Sequence, residues 1–198
     1  MNKENVDKDY WNNLYKSNET GWDIGYPSPA LKEYIDQLPD KSIRILIPGC
    51  GNAYEAQYLL DQGFVNVTLI DIAPEVTAVL EKRFRSELNK TLKIVTGDFF
   101  ELNGQFDLIL EQTFLSALPP SLRESYISKL HSLLVPGGKV VGVVFGKIFE
   151  EDGPPFGATE DQYRELVKDK FDIKTMELCY NSIERRQGSE LFINLRKK

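Results

Sequence analysis

Two hydrophobic rhythms alternate along this chain. Ile43 to Ile47, Val67 to Ile72, Leu92 to Val95, Phe106 to Glu111 and Val140 to Phe145 are short apolar runs that read as strands. The unbroken run of Val140 to Phe145 implies burial on both sheet faces. Between the runs, apolar residues recur at helical spacing. Ala56, Leu59 and Leu60 mark one face, ended by Gly63. Val76, Val79, Leu80, Phe84 and Leu88 form the next stripe, behind Pro74 in a first turn. Pro119-Pro120-Ser121 opens a third helix, with Ser121 and Glu124 at capping-box spacing and Leu130, Leu133 and Leu134 on its apolar face. Val135-Pro136-Gly137-Gly138 reads as a tight turn into the fifth strand, and Gly153 to Gly157 as a loop. Thr159 and Gln162 suit a further helix cap, and two last β-rich runs cover Ile173 to Tyr180 and Leu191 to Leu195. Strand–helix alternation repeated five times predicts an α/β fold with a parallel sheet and helices on both faces.

The leader differs from the rest. Val6 to Lys16 reads as helix, Gly21 to Pro29 as loop, and Leu31, Tyr34, Ile35 and Leu38 define a second helix. Both tryptophans lie here, Trp11 and Trp22, with Tyr10, Tyr15 and Tyr26 nearby. Trp11 suits packing onto the sheet as well as a lid. A loop flanked by glycines and prolines is a poor place to bury an indole, so Trp22 reads as part of a lid over a ligand. With no repeat or linker in sight, residues 1–198 are expected to form one domain: a cap over 1–40 and a core over 41–198.

Composition narrows the classes. A 198-residue chain with 41% hydrophobic and 27% charged residues suits a soluble globular domain. A net charge of −6 argues against a nucleic-acid binder, and Arg196-Lys197-Lys198 reads as a solvated tail. No apolar run approaches the roughly 20 residues of a membrane span, and Met1 to Asn5 is too polar for the core of a signal peptide. Cys50 and Cys179 are too few for a disulfide framework, so a reducing cytoplasmic setting is expected.

The chemistry centres on Ile47-Pro48-Gly49-Cys50-Gly51, a strand running into a glycine turn before a helix. Asp71, Asp98 and Glu111 sit at or just past strand ends, where ligands lie in such sheets. Asp71 follows Gly51 by twenty residues, the spacing of a carboxylate that accepts from ribose hydroxyls. A dinucleotide fingerprint would place its third glycine at position 54, which is Tyr54 here. The helix after the turn also carries Glu55 and no cation to meet a pyrophosphate. Acids with aromatics suit a cationic, phosphate-free nucleoside, of which a sulfonium is one.

These stretches resemble class I S-adenosylmethionine-dependent methyltransferases of the thiopurine S-methyltransferase and halide/thiol methyltransferase group. The resemblance rests on Trp11 to Gly25, Ile47 to Gly51, Ile70-Asp71-Ile72, Gly97 to Phe100, Phe106 to Ile109, Val135 to Gly138 and Gly153 to Phe156. An acid is usual two residues before the first glycine in the wider class. Ile47 stands there, which narrows the likeness to this group. It implies a seven-stranded, mostly parallel Rossmann-like sheet of order 3-2-1-4-5-7-6, last strand antiparallel, with an N-terminal helical cap. It also implies S-adenosylmethionine as cofactor, S-adenosylhomocysteine as product, no metal, a small-molecule acceptor and a monomer. Trp11, Tyr15 and Trp22 would close over the methionine end, while Gly49, Gly51 and Ile72 would line the backbone cradle. Asp71 would take the ribose, and Asp98 the adenine amino group beside Phe99. Glu111, followed by Gln112-Thr113, would lie near the methyl group as a cofactor and catalytic residue, and Phe156 would line the acceptor pocket.

Transfer to a soft anion is an in-line displacement that demands alignment and exclusion of water rather than a strict base. The lone histidine, His131, sits at mid-helix, away from every strand end, and Cys50 reads as a small packing residue. Arg185 and Arg186 either attract an anionic acceptor or decorate a solvated turn. Plant halide/thiol enzymes carry a tyrosine just past the fifth strand where this chain has Phe145, so a thiol or other soft, lipophilic acceptor is expected over a halide. The competing readings are a cofactor-binding sensor or partner subunit without turnover, and a nicotinamide oxidoreductase, which Tyr54 disfavours.

Overall fold

The computed structural model describes residues 6–150 and 153–198. The polar residues 1–5, where the absence of a signal-peptide core was read, and residues 151 and 152 lie outside the described residues. Strands β1 (Ile45–Pro48), β2 (Val67–Asp71), β3 (Leu92–Thr96), β4 (Phe106–Gln112), β5 (Leu134–Phe145), β6 (Phe171–Leu178) and β7 (Glu190–Lys197) form one sheet of order β3-β2-β1-β4-β5-β7-β6. The β1–β2, β2–β3, β1–β4 and β4–β5 pairs are parallel. β7 runs antiparallel to both β5 and β6. The order reverses between β1 and β4, and that switch point opens a crevice at the strands' carboxyl ends.

Period-two alternation sorts the two faces. Ile45, Ile47, Leu69, Leu108 and Leu110 bury against α2 (Pro29–Asp36), α3 (Tyr54–Asp61) and α4 (Pro74–Arg83) through Leu31, Ile35, Ala56, Leu59, Val76 and Leu80. Leu46, Ile70, Ile109, Val140 and Val144 bury against α5 (Arg123–Leu133) and α6 (Glu160–Val167) through Tyr126, Ile127, Leu130, Tyr163 and Val167. The cap helix α1 (Lys8–Ser17) starts where Asp7 accepts from Tyr10 N–H at 2.9 Å and stops at left-handed Asn18. It is tied to α4 by Asn12, whose side-chain carbonyl accepts from Glu75 N–H at 2.9 Å.

Residues 135–138 fall inside the span of β5 but turn out of its ladder: Leu134 pairs with Phe106, pairing resumes at Lys139 with Leu108, and Gly137 takes a left-handed φ of 74°. Some local expectations fail for physical reasons. The Ser121–Glu124 box does not form, because Pro120–Leu122 is a 3₁₀ turn and α5 starts at Arg123 without a side-chain cap. Thr159 and Gln162 do make both capping-box bonds. α4 ends at Arg83, which leaves Leu88 beyond the helix and Val79 on its exposed face.

Candidate active site

A cleft of about 880 Å³ lies over the switch point, within the size range of cofactor sites. Gly49 and Gly51 form its floor, both in the left-handed region, at φ 55° and 50°. At Gly49 the need is also steric. A Cβ there would fall 2.1 Å from the Phe114 ring, so only glycine lets that ring sit on the turn.

Asp71, the last residue of β2, turns its carboxylate beneath the glycine turn. Its two oxygens accept from Gly51 N–H at 3.0 Å and Ala73 N–H at 3.0 Å. Burial pushes this carboxyl above its ordinary range, opposed by backbone N–H groups of Ala73, Gly51 and Ile72. A desolvated carboxylate with lone pairs to spare is a strong acceptor for hydroxyl donors. Asp98 lines the cleft just past β3 and caps the short turn at Phe99–Glu101 by accepting from Phe100 N–H at 2.8 Å. Phe99 lines the cleft beside it, and Ile72 does so next to Asp71.

The leader closes one end. Trp22 stands edge-on to Trp11 at 5.3 Å and to Tyr15 at 5.6 Å, making an aromatic corner. All three line the cleft. Burial, with Asp71 nearby, pushes the Tyr15 hydroxyl far up and holds it neutral. Contacts that residue types alone could not reveal, gathered around Arg186 and Asp23, fix this lid. Arg186, buried, donates to the Trp22 carbonyl at 2.6 Å and pairs with buried Glu190 at 3.2 Å. Asp23 accepts from Asn52 and, at 3.2 Å, from the Tyr54 hydroxyl, while Arg185 donates to its carbonyl at 2.8 Å. Tyr54, at the position a dinucleotide site gives to glycine, therefore ties the lid to the turn. The Arg185-Arg186 pair is neither wholly solvated nor free.

The structure does not gather every expected residue. Trp11, Tyr15, Trp22, Gly49, Gly51, Asp71, Ile72, Asp98 and Phe99 line one cleft; Glu111 and Phe156 do not. β4 runs one residue further than predicted, so Gln112 takes the strand-end position. Glu111, one residue back, faces α5, where it accepts from Tyr126 O–H and from Leu115 N–H at 3.0 Å. Phe156 is buried, its N–H bonded to Ser116 C=O at 2.6 Å and its carbonyl near the Arg123 guanidinium; Pro154 and Pro155 reach the cleft instead. Phe114, Phe145, Lys147 and Phe149 complete the wall. His131 stands edge-on to Phe171 at 5.8 Å, and burial pushes the Cys50 thiol well up; neither is poised for chemistry. Among the described residues, no cluster of His, Cys, Asp and Glu could hold a metal ion, and no helix is long and apolar enough to cross a membrane.

This sheet order, with a cleft at the β1/β4 switch point, defines the Rossmann-like S-adenosylmethionine-dependent methyltransferase fold. The structure of Burkholderia thailandensis 1,6-didemethyltoxoflavin-N1-methyltransferase, with bound 1,6-didemethyltoxoflavin and S-adenosylhomocysteine, shares that fold. Its TM-score is 0.76 at 21% identity, over 96% of this chain and 87% of that one. The thiopurine S-methyltransferase family model matches residues 6–192, and the chain belongs to that family. It is an S-adenosylmethionine-dependent methyltransferase. A thiopurine S-methyltransferase of Acinetobacter baylyi is 28% identical over 190 residues, covering 85% of this chain and 87% of that protein. A probable thiol methyltransferase 2 of Arabidopsis thaliana is 28% identical over 160 residues, covering 79% and 70%.

Proposed function

We propose that this enzyme methylates a small thiol-type acceptor and that the two halves of the cleft divide the work. The observation that carries the reading is their opposite character. The β1–β3 side offers Asp71, Asp98 and the glycine turn, with the Phe114 ring seated on it; the β4–β7 side offers Phe145 and Phe149 with Lys147 and Arg185. The residues fit the cofactor: a desolvated carboxylate suits a ribose diol, and an aromatic corner suits a sulfonium. Asp71 would hold the ribose, Asp98 and Phe99 the adenine, Gly49, Gly51 and Ile72 the span between, and Trp11, Tyr15 and Trp22 the methionine end. When bound, the cofactor supplies an electrophilic methyl group.

The protein's own part is alignment and exclusion of water. On the acceptor side, cations near a thiol lower its pKa and favour the nucleophilic thiolate. The phenyl rings there suit a lipophilic body, and Phe145 offers no hydroxyl to a hydrated halide. Two buried free thiols, Cys50 and Cys179, suit a reducing compartment such as the cytoplasm.

The test pairs calorimetric titration of S-adenosylmethionine, S-adenosylhomocysteine and NAD with a turnover screen over aryl thiols, thiopurines, hydrosulfide, thiocyanate and iodide. Binding of the first two and S-methylation of a thiol are expected. Tight cofactor binding with no turnover across the panel would make the chain a sensor or partner subunit. Halide turnover exceeding that of thiols would overturn the assignment of acceptor.

A further inference from the structure

Glu111 directly precedes the cleft-lining Gln112, yet its carboxylate is turned under the sheet and is 1% exposed. Its two side-chain hydrogen bonds lead back to the cofactor floor. One oxygen accepts from Leu115 N–H at 3.0 Å, pinning the turn that follows β4, and the other accepts from Tyr126 O–H on α5. That turn needs holding: Thr113, a β-branched residue, sits at φ 56°, where such side chains are strained. Thr113 N–H donates to Val143 C=O at 2.9 Å, and Ser116 N–H to Thr113 C=O at 3.1 Å. The turn carries Phe114, the ring seated on Gly49. Tyr126 packs the same ring from below at 5.6 Å and reaches Phe99 at 5.2 Å, while Phe99 and Phe114 stand edge-on at 5.6 Å. Phe99 and Phe114 line the cleft; Tyr126 does not.

We propose that Glu111 is a positioning residue for methyl transfer: it holds the 113–116 turn and the Tyr126 ring so that Phe114 and Phe99 form a fixed floor against the glycine turn. The role is structural support for cofactor binding, with no proton moved to or from the acceptor. It rests on the cofactor occupying this cleft and is independent of which acceptor is used. Burial pushes the carboxyl up to about 7, against the pull of Tyr126 O–H and the Leu115 and Phe114 N–H groups. The titratable groups facing it are Tyr126 from α5 and Tyr163 from α6, and Tyr163 in turn faces Arg123. A glutamine can accept from Leu115 N–H and donate to the Tyr126 oxygen, so the geometry survives loss of the charge.

The experiment measures S-adenosylhomocysteine affinity by calorimetry, and kcat and KM against pH, for wild type, Glu111→Gln, Glu111→Ala and Tyr126→Phe. Wild-type titration tests cofactor occupancy of the cleft by itself; the variant-to-wild-type ratios test the role of Glu111. Glu111→Ala should weaken S-adenosylhomocysteine about tenfold while kcat at saturating cofactor falls less than about threefold. Glu111→Gln should restore affinity to within about threefold and leave the pH profile of kcat unchanged. If the alanine variant does not fold, Tyr126→Phe decides, with affinity expected to fall about threefold. A loss of about 100-fold or more in kcat for Glu111→Gln at unchanged affinity would make Glu111 a catalytic acid or base and overturn the proposal. Unchanged affinity in both Glu111→Ala and Tyr126→Phe would overturn it as well.

Discussion

The two sides of the cleft are built by different means. On the β1–β3 side the ligand-facing groups are strand ends and a turn: Asp71 closes β2, Gly49 and Gly51 follow β1, and Asp98 lies two residues past β3. Parallel register fixes their relative positions, since Ile47 pairs with Leu69 and Asp71 with Thr96. On the β4–β7 side and in the lid, position depends on side chains reaching across the chain, as Arg186 does to Trp22 and Arg185 to Asp23. Regular backbone makes the cofactor half. Long-range polar contacts, which must be desolvated to form, make the acceptor half and its closure.

If that contrast is right, the largest stability loss should come from Arg186. It is buried with Glu190, which also accepts from Ser182 O–H at 2.7 Å. Arg186→Ala leaves a buried carboxylate short of its partner, a change that costs about 4 kcal/mol. For a domain of this size, that lowers Tm by roughly 8–16 °C. Combining Arg186→Met with Glu190→Leu should recover much of the loss. A scan showing Arg186→Ala within a degree of wild type would show that the lid is held by its aromatics alone.

Glu111 gives the next effect, with a defined pH signature. Its carboxyl is pushed from 4.5 up to about 7 in the fold, so between those values the native state binds more protons than the unfolded chain. Its contribution is therefore full below pH 4.5 and is lost as pH rises through 7, about 3 kcal/mol across the window. Glu111→Gln removes this slope, so the variant should gain on wild type from pH 4.5 to about 7 in urea melts, and level off above it. Parallel curves for the two proteins would refute it.

Within the cleft itself, Asp71→Ala removes a charged acceptor and should weaken S-adenosylmethionine by about 100-fold. Titration calorimetry reads this directly. An effect under about fivefold would mean that Asp71 serves only Gly51 and Ala73.

How legible each half was follows from the same contrast. Asp71, Gly49 and Gly51 could be read because strand periodicity and a glycine turn are local signals. Glu111 is expected over the cleft as the end of β4, but Gln112 takes the strand end, and alternation puts the Glu111 carboxylate on the α5 face with Ile109. In a strand the face follows from parity with the buried residues, and Ile109, two positions back, sets it for Glu111. Tyr54 was visible as a broken fingerprint, yet its partner Asp23 lies 31 residues away in a loop with no periodicity. Nothing in Arg185-Arg186 distinguishes a solvated turn from a clamp until Glu190 and the Trp22 carbonyl stand beside it. The reason Gly49 must be glycine, the Phe114 ring, comes from another strand's turn.

Smaller effects test the lid. Trp22→Ala removes edge contacts to Trp11 and Tyr15, and should weaken the cofactor about tenfold, measured by the same titration. The effect should fall on KM for S-adenosylmethionine. Unchanged affinity would return Trp22 to a packing role.

The smallest expected effect is the most specific. Tyr54 O–H donates to Asp23, which also accepts from Asn52 and from Gly25 N–H at 2.7 Å. A half-exposed neutral donor on a carboxylate contributes only a fraction of the lid's hold, and Asn52 remains when Tyr54 is lost. Tyr54→Phe should therefore weaken S-adenosylmethionine by no more than about threefold, and Asp23→Ala by somewhat more. The informative quantity is their coupling: if Tyr54 acts on the lid through Asp23, the double variant should be no weaker than Asp23→Ala alone, leaving an interaction energy of about 0.5–1 kcal/mol. Simple additivity would separate the two residues, and Tyr54 would then stand at the glycine position for its packing on Arg83, which lies 5.8 Å over its ring.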